Sequence, residues 1–480
     1  MRRTKIIATL GPATDKPGVM EKLILSGVDL FRMNYSHQTH KAHEMRIQQV
    51  RLLSNELGIE IGTIADLQGP KIRLERFARG RITLAEDDHF ILDTELDAGA
   101  GNKTHVGVTY KKLAKDVKKG NRLLLDDGKI VLEVEKVKGG EIHCRTIVGG
   151  EISNSKGINL QGGGLSTDAL TDKDKADLEH AVKMGIDYIA VSFVQTAKDI
   201  SKTRGHLKKL KSNTHIIAKF ERSEALNNAE EIISASDAIM IARGDLGVEI
   251  GDAALPPVQK RLINLAREMD TAVITATQMM ESMIGNQTPL RAEVFDVANA
   301  VLDGTDAVML SGETSVGLYP VKVVMTMANI CAETEKQRAI RVSDHRINTR
   351  FEKIDEAIAM STMYAANHIG AKAIAALTET GSTCLWMSRI SSGIPIFALT
   401  RHLGTMRRVK LYRGVYPIMF DVTTTDTMEL NHKIVTDLMK QKYVSDGDLV
   451  IITKGDLRGR RGGTNNMKII RAGEPIEGLS

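Results

Sequence analysis

The chain has 480 residues and a formal net charge of +5, and only 4% of its residues are aromatic. This length exceeds one ordinary hydrophobic core, so two or three domains are expected. Because the basic residues are scattered and do not alternate with aromatic side chains, the composition argues against binding to nucleic acid.

The first part of the chain, residues 1–69, alternates short apolar runs with helical patterns. Strands are predicted over 5–10, 29–34 and 59–67, and helices near 17–26 and 40–57. From residue 70 to residue 164 the pattern changes to alternating strands joined by Gly, Asp and Asn turns. This segment is predicted to be a small all-β domain that ends in the hinge QGGG, residues 161–164.

The alternation of strands and helices resumes over residues 165–338. Five further strands are predicted, over 187–193, 215–221, 237–245, 271–278 and 306–313. With the first three they make eight βα units, which predicts an α/β fold with a (β/α)8 TIM barrel interrupted after its third strand. A doubly wound open sheet is the alternative, and it is disfavoured because the count closes at eight.

The last part of the chain, residues 339–480, is predicted to be an open, mostly parallel α/β domain with strands over 371–378, 394–400, 415–420 and 448–456. No apolar stretch of the chain approaches the ~20 residues of a membrane span, and the apolar run near the start is too short for a signal peptide. The three cysteines are far apart and odd in number, as expected of free thiols. We therefore expect a cytoplasmic protein without membrane contact.

Polar residues end nearly all of the predicted barrel strands, where this fold places its active site. They are Arg32, Asn34, Ser36, Asp66, Lys71, Arg73, Lys219, Glu221, Arg243, Asp245, Thr277, Ser311 and Glu313. Solubilising loop residues would explain any one of them. That alternative does not explain the whole set, because loop solubility does not require Lys-x-Glu and Arg-Gly-Asp directly beside apolar strands.

The carboxylates of Glu221 and Asp245 follow neighbouring predicted strands and are predicted to share a divalent cation, Mg²⁺ or Mn²⁺. Lys219 lies two residues before Glu221, so it points to the same face of its strand and brings a positive charge to that cation. A metal beside Lys and Arg suits an anionic, phosphorylated substrate. Gly244 would let the backbone approach that substrate closely.

Longer motifs occur in the order TLGPAT, RMNYSH, DLQGPKIR, NSKGINL, IIAKFER, MIARGDLGVE, TATQMMESM, PLRAEVFDVANAVLDGTDAVMLSGET and GTNNMKII, between Thr4 and Ile470. In these motifs the chain closely resembles the pyruvate kinase family. The resemblance implies a barrel, an inserted β domain that acts as a mobile lid, a C-terminal regulatory domain and a homotetramer. It also implies phosphoryl transfer from phosphoenolpyruvate to ADP, giving pyruvate and ATP in the last step of glycolysis.

The resemblance further implies roles for individual residues. The residues implied in catalysis are Lys219, Arg32, Thr277, Ser311 and Glu313. Substrate binding is implied for Arg32, Gly244, Asp245 and Thr277, and Mg²⁺ binding for Glu221 and Asp245. The nucleotide would be held by Arg73, Lys156 and His37. Two rival functions remain open, a Mg²⁺-dependent lyase acting on pyruvate-like enolates and a non-catalytic metabolite sensor.

Lys71 stands where many family members have Glu and require a bound K⁺. The K⁺ ligands of the family correspond to Asn34, Ser36, Asp66 and Leu67, the last offering only its carbonyl. A lysine ammonium supplies the unit charge of the ion on a tether, and it would repel K⁺. We therefore predict that K⁺ is not required, the alternative being a solvated lysine on a mobile loop.

The stretch TETGST, residues 378–383, follows a predicted strand of the C-terminal domain and opens a helix. Hydroxyl groups and free amides in such a turn can bind phosphate oxygens. An allosteric site for AMP or a sugar monophosphate is predicted here, at Thr378, Thr380, Gly381, Ser382 and Thr383. An ordinary capped turn is the alternative.

Overall fold

In the computed structural model, residues 1–337, 350–425, 429–456 and 462–474 are described. The chain starts with three parallel barrel strands and two helices: β1 (Lys5–Thr9), α1 (Val19–Leu25), β2 (Leu30–Asn34), α2 (His40–Leu57) and β3 (Gly62–Asp66). The Thr39 hydroxyl accepts a hydrogen bond from the Ala42 amide at the start of α2, and Gly58 ends this helix with a φ of 64°.

An all-β unit then interrupts the barrel. It comprises β4 (Arg81–Leu84), β5 (His89–Asp93), β6 (His105–Gly107), α3 (Leu113–Asp116), β7 (Arg122–Leu125), β8 (Ile130–Lys138), β9 (Glu141–Val148), β10 (Gly150–Ser153) and β11 (Ile158–Leu160). Six of these strands form one sheet in the order β11-β7-β8-β9-β5-β6, and β10 pairs with β4. The inserted β domain therefore has its own core, separate from that of the barrel.

The barrel is completed by five further strands with their helices. In chain order these elements are α4 (Asp172–Lys183), β12 (Tyr188–Val191), α5 (Ala197–Lys209), β13 (His215–Phe220), α6 (Ser223–Asn227), α7 (Ala229–Ala235), β14 (Ala238–Ala242), α8 (Arg243–Ile250), α9 (Leu255–Glu268), β15 (Ala272–Ala276), α10 (Arg291–Asp303), β16 (Ala307–Leu310), α11 (Gly312–Ser315) and α12 (Pro320–Thr334). The strands close in the order β1-β16-β15-β14-β13-β12-β3-β2, which confirms the predicted eight-stranded barrel. Nearly every residue of these strands is buried, as expected when helices cover a parallel sheet.

Several predicted strands are too long, and two of them extend three residues past the observed carboxyl end. The strand predicted over 237–245 ends at Ala242, because Arg243 already begins α8. The strand predicted over 306–313 ends at Leu310, and α11 begins at Gly312. In both places the chain turns directly from a strand into a helix, so the polar residues lie on helix starts and not on strands.

The C-terminal domain is a mostly parallel sheet with helices, as predicted, but it has five strands where four were predicted. Its described elements are α13 (Ile354–Ile369), β17 (Ala373–Leu377), α14 (Ser382–Arg389), β18 (Ile396–Thr400), α15 (Leu403–Val409), β19 (Val415–Met419), α16 (Leu430–Lys440), β20 (Leu449–Gly455) and β21 (Thr464–Arg471). The sheet order is β19-β18-β17-β20-β21, and β21, which pairs antiparallel with β20, was not predicted.

The C-terminal domain packs against the amino ends of the barrel strands. Lys5 Nζ donates to the Val415 carbonyl at 2.6 Å, and the Tyr188 hydroxyl donates to the Arg408 carbonyl at 2.8 Å. The buried guanidinium of Arg389 pairs with Asp306, just before β16. The domain therefore closes the end of the barrel opposite to the active-site end. Within the described part of the chain, no helix has the length and apolar character needed to cross a membrane.

Candidate active site

The ammonium group of Lys219 lies in a buried charge cluster at the carboxyl ends of β3 and β13. Its Nζ is 3.1 Å from Asp66 Oδ1 and 2.7 Å from Glu221 Oε1, and it donates to Ser192 Oγ at 2.7 Å. Burial alone lowers the pKa of Lys219, but the two carboxylates outweigh it and raise this pKa. Near neutral pH the side chain is therefore a fixed positive charge and not a proton donor.

Asp66 lies between two cations. Arg32 Nε donates to Asp66 Oδ2 at 2.7 Å, and Arg32 Nη1 donates to Thr9 Oγ1 at 3.1 Å. Burial raises the pKa of Asp66, but the charges of Lys219 and Arg32 outweigh it and lower this pKa. The ionised carboxylate thus holds Arg32 and Lys219 in place on adjoining parts of the barrel rim.

Glu221 and Asp245 lie beside each other, because β13 pairs with β14 and each residue closely follows its strand. Burial raises the pKa of Glu221, and the Asp245 carboxylate adds to this effect against the opposing charge of Lys219. Two neighbouring carboxylates that offer only oxygen donors fit Mg²⁺ or Mn²⁺. Among the described residues of the site, this pair is best suited to hold a divalent cation.

Lys71 contacts this carboxylate pair, which the sequence did not predict. Its Nζ donates to Asp245 Oδ1 at 3.1 Å, and the two side chains are 27% and 23% exposed. The loop that carries it turns at Gly69, where φ is 66° and an added Cβ would lie 2.9 Å from side-chain atoms of Ser192 and Phe193. The turn is therefore tightly packed, and Lys71 is directed at a predicted metal ligand.

Three of the four predicted K⁺ ligands already have a hydrogen-bond or ion-pair partner. The Leu67 carbonyl accepts from Ser192 Oγ at 2.7 Å, and Asn34 Oδ1 accepts from the Ser36 amide at 3.1 Å. The Asp66 carboxylate pairs with Arg32 and Lys219. Each of these three residues therefore already has at least one polar partner in the protein.

Thr277 lies in a strained turn after β15. Its φ is 65°, and that of Gln278 is 54°. Arg243 holds the turn by donating to the Thr277 carbonyl at 2.7 Å, and the Gly244 amide donates to Thr277 Oγ1 at 2.8 Å. The structure therefore brings together Gly244 and Thr277, and Arg243 positions the turn that carries Thr277.

Ser311 and Glu313 lie at the end of β16. Glu313 Oε2 accepts from the Ser311 amide at 2.6 Å, and Oε1 accepts from the Met280 amide at 3.2 Å. Burial raises the pKa of Glu313 against these backbone hydrogen bonds. Ser311 Oγ is buried and has no hydrogen-bond partner among the described residues, so its hydroxyl is available to a ligand.

Two of the three predicted nucleotide residues, Arg73 and Lys156, lie in the inserted domain, and His37 lies after β2 of the barrel. Arg73 forms a β-bridge with Gly157, and its Nη1 donates to the Ser155 carbonyl at 2.9 Å. Lys156 Nζ is 2.9 Å from Asp126 Oδ1. Partial burial and then the charges of Arg73 and Arg32 lower the pKa of His37.

Four of the five predicted effector residues, all except Gly381, border a cavity of about 170 Å³ in the C-terminal domain. The Gly381 amide donates to Thr378 Oγ1 at 2.8 Å, and Gly381 has a φ of 90°. The Thr380 and Ser382 hydroxyls are 2.8 Å apart, and Thr383 Oγ1 is 3.0 Å from Thr464 Oγ1. Two cationic residues that the sequence reasoning missed also line the cavity, namely Arg401 and Lys454.

Sequence reasoning also missed Ser192, whose hydroxyl accepts from Lys219 and donates to the Leu67 carbonyl. Its signal was its position just after β12, one of the two barrel strands, with β1, to which no polar end residue had been assigned. Thr9, at the end of β1, could have been found by the same rule.

Comparison with known proteins identifies the family of the chain. A family model described as "Pyruvate kinase, barrel domain" matches residues 1–324, and one described as "Pyruvate kinase, alpha/beta domain" matches residues 356–470. The chain is 52% identical over 475 residues to "Pyruvate kinase" of Buchnera aphidicola subsp. Schizaphis graminum, covering 98% of each chain. It is 50% identical over 474 residues to "Pyruvate kinase II" of Salmonella typhimurium (strain LT2), again covering 98% of each. These matches confirm the resemblance drawn from the motifs, and the chain belongs to the pyruvate kinase family.

Proposed function

We propose that the protein transfers the phosphoryl group of phosphoenolpyruvate to ADP, giving pyruvate and ATP, as a pyruvate kinase acting in the cytoplasm. The observation that carries this proposal is the buried cluster of Arg32, Asp66, Lys219 and Glu221 at the carboxyl end of the barrel. Two cations fixed beside a pair of metal-binding carboxylates suit a substrate that bears both a phosphoryl group and a carboxylate.

In this proposal the transferring phosphoryl group lies between Arg32 and Lys219. Both cations are held by Asp66, so they need no reorganisation when charge develops on the phosphoryl oxygens. Glu221 and Asp245 would hold Mg²⁺, which when bound neutralises the anionic oxygens of the substrate. Gly244, Asp245 and Thr277 would seat the substrate beside them.

The enolate of pyruvate must then gain a proton on carbon. Thr277 and Ser311 would hold the water that delivers it, since the Ser311 hydroxyl lacks a protein partner among the described residues. Glu313 is engaged by two backbone amides, which supports a positioning role for this carboxylate.

Arg73, Lys156 and His37 would bind the phosphates of ADP. Arg73 and Lys156 lie in the inserted domain, Arg73 near its first residue and Lys156 just before its last strand, β11. A nucleotide held by both would draw the inserted domain over the site as a lid, which excludes water from the phosphoryl group. This proposal includes domain boundaries after residues 69 and 164. The boundary predicted between residues 338 and 339 lies outside the described residues.

A coupled assay tests the proposed reaction against the lyase alternative. We expect ATP formation from phosphoenolpyruvate that depends strictly on ADP and on Mg²⁺ or Mn²⁺. Carbon–carbon cleavage that proceeds without ADP would instead establish a lyase. A lyase reaction would give Arg73 and Lys156 no role. In K⁺-free buffer the activity should persist, because the Lys71 ammonium would supply the charge of the ion and three of the four residues that match the family's K⁺ ligands already have polar partners.

The C-terminal domain is proposed to bind a phosphorylated effector, AMP or a sugar monophosphate, at Thr378, Thr380, Gly381, Ser382 and Thr383. The charges of Arg401 and Lys454 in the same cavity support this proposal. Thr380 and Ser382 also border a cavity of about 690 Å³ that includes His215 of the barrel. An effector could therefore act on the barrel through this loop, in the homotetramer expected for the family.

Removing the Thr383 hydroxyl should weaken activation. We expect Thr383→Ala to raise the half-activating concentration of AMP or a sugar monophosphate about tenfold, as for one lost hydrogen bond to a charged group. Ser382→Arg should shift the preference towards a bisphosphate, because it adds a cation. Activation curves measure both effects.

Thr362→Ala is the matched control, since the Thr362 hydroxyl donates within α13 to the Ile358 carbonyl at 2.7 Å. Its activation curve should match that of the unmodified protein. Identical effector responses in all the variants would remove the effector site from residues 378–383.

A further inference from the structure

A group of ionisable side chains in the inserted domain has no task in the proposed reaction. Asp93 of β5 pairs in register with Glu141 of β9, and Ile91 pairs with both His105 of β6 and His143 of β9. Residues two apart on a strand share a face of the sheet. Asp93, His105, Glu141 and His143 are therefore on one face, opposite to the domain core.

Contacts within this group are short. His105 Nε2 is 3.1 Å from Asp93 Oδ2, and His143 Nε2 is 3.0 Å from Glu141 Oε2. One ligand atom from each of Asp93, His105 and Glu141 lies within 4.8 Å of the other two. Two carboxylates directly opposite each other on paired strands repel, so the arrangement stabilises a cation placed between them.

We propose that Asp93, His105 and Glu141 bind a divalent transition-metal ion such as Zn²⁺, at a site separate from the active site. An imidazole nitrogen beside two carboxylates suits Zn²⁺, Ni²⁺ or Cu²⁺, whereas Mg²⁺ prefers oxygen ligands alone. This donor set therefore differs in kind from the pair formed by Glu221 and Asp245.

The site needs only a small adjustment to close around an ion. Ligand atoms about 2.1 Å from a tetrahedral Zn²⁺ lie about 3.4 Å from one another. Glu141 can supply the movement, because its side chain is 41% exposed. His143 already holds the Glu141 carboxylate, and such outer partners orient metal ligands. The bound ion would tie the short edge strand β6 to β5 and β9.

Calorimetric titration of Zn²⁺ into the metal-stripped full-length protein tests the proposal, with excess Mg²⁺ present to occupy the active site. We expect one Zn²⁺ per chain that is lost or weakened at least about tenfold in His105→Gln and in Glu141→Gln. Zn²⁺ should also raise the thermal unfolding midpoint of the unmodified protein more than that of either variant.

His89→Gln is the matched control. His89 is on the same strand as Asp93 but pairs with Glu135 alone, at 3.2 Å, and its side chain is 77% exposed. This variant should bind Zn²⁺ like the unmodified protein. Equal Zn²⁺ affinity in the unmodified protein and in a folded His105→Gln or Glu141→Gln variant overturns the site, as does the absence of Zn²⁺ binding by the unmodified protein.

Discussion

Replacing Lys219 with Met should lower kcat roughly 10²–10⁴-fold, while the KM for phosphoenolpyruvate changes far less. The Lys219 ammonium is 2.7 Å from Glu221 and 3.1 Å from Asp66, and its raised pKa keeps it charged. This charge matters most when the phosphoryl group is between donor and acceptor. Initial-rate kinetics, with both substrates varied, give the two parameters separately.

The same substitution leaves the carboxylates of Asp66 and Glu221 without their shared cation, so a loss of stability must be separated from a loss of catalysis. Calorimetric binding of phosphoenolpyruvate and the thermal unfolding midpoint make that separation. Lys175→Met is a surface control, because Lys175 pairs with the exposed Asp172 at 2.7 Å. A folded Lys219→Met variant with unchanged kcat and a raised KM would make Lys219 a ground-state binder. If the unmodified protein and Lys219→Met both show only background turnover, the result would favour the metabolite sensor.

Activity in K⁺-free tetramethylammonium buffer should be close to that in KCl, and Lys71→Glu should make the enzyme dependent on K⁺. The Lys71 ammonium brings a fixed positive charge to the rim of the site, 3.1 Å from Asp245. A second cation about 4 Å from it would cost on the order of 4 kcal/mol at an effective dielectric constant of 20. In Lys71→Glu this repulsion is replaced by attraction, so an added K⁺ restores the missing charge. Steady-state rates across a K⁺ series measure the effect.

Lys202→Glu provides the control for this charge reversal, because Lys202 lies on α5 and pairs with Asp168 at 2.8 Å. Its response to K⁺ should match that of the unmodified protein. A drop of more than about tenfold on removing K⁺ from the unmodified protein, or about 1.4 kcal/mol of barrier, would contradict the tethered-charge hypothesis. Lys71 would then serve only as the ion-pair partner of Asp245.

The order of the helices and strands was predictable because it depends on local patterns of apolar residues in the sequence. Buried parallel strands appear as short apolar runs, and the eight runs predicted within residues 1–69 and 165–338 are the eight barrel strands. The ends of those runs were harder to place. At Ala242 and Leu310 the chain passes from strand to helix within a residue or two, and the polar residues there are compatible with either structure. Strand β21 was missed because its alternation is weak.

The amino-acid sequence by itself therefore determined the barrel with its inserted β domain, the C-terminal α/β domain and the set of polar residues at the barrel rim. These depend on hydrophobic period and on residue type, which are local properties. Only the tertiary structure decided which of those residues meet. Closure of the barrel places Asp66 between Arg32 and Lys219, and it brings Lys71 to Asp245 across 174 positions of the chain. Strand register likewise joins His105 to Asp93 and Glu141. The physical reason is that such contacts depend on strand register and on packing between distant segments. The spacing of residues along the chain specifies neither of these.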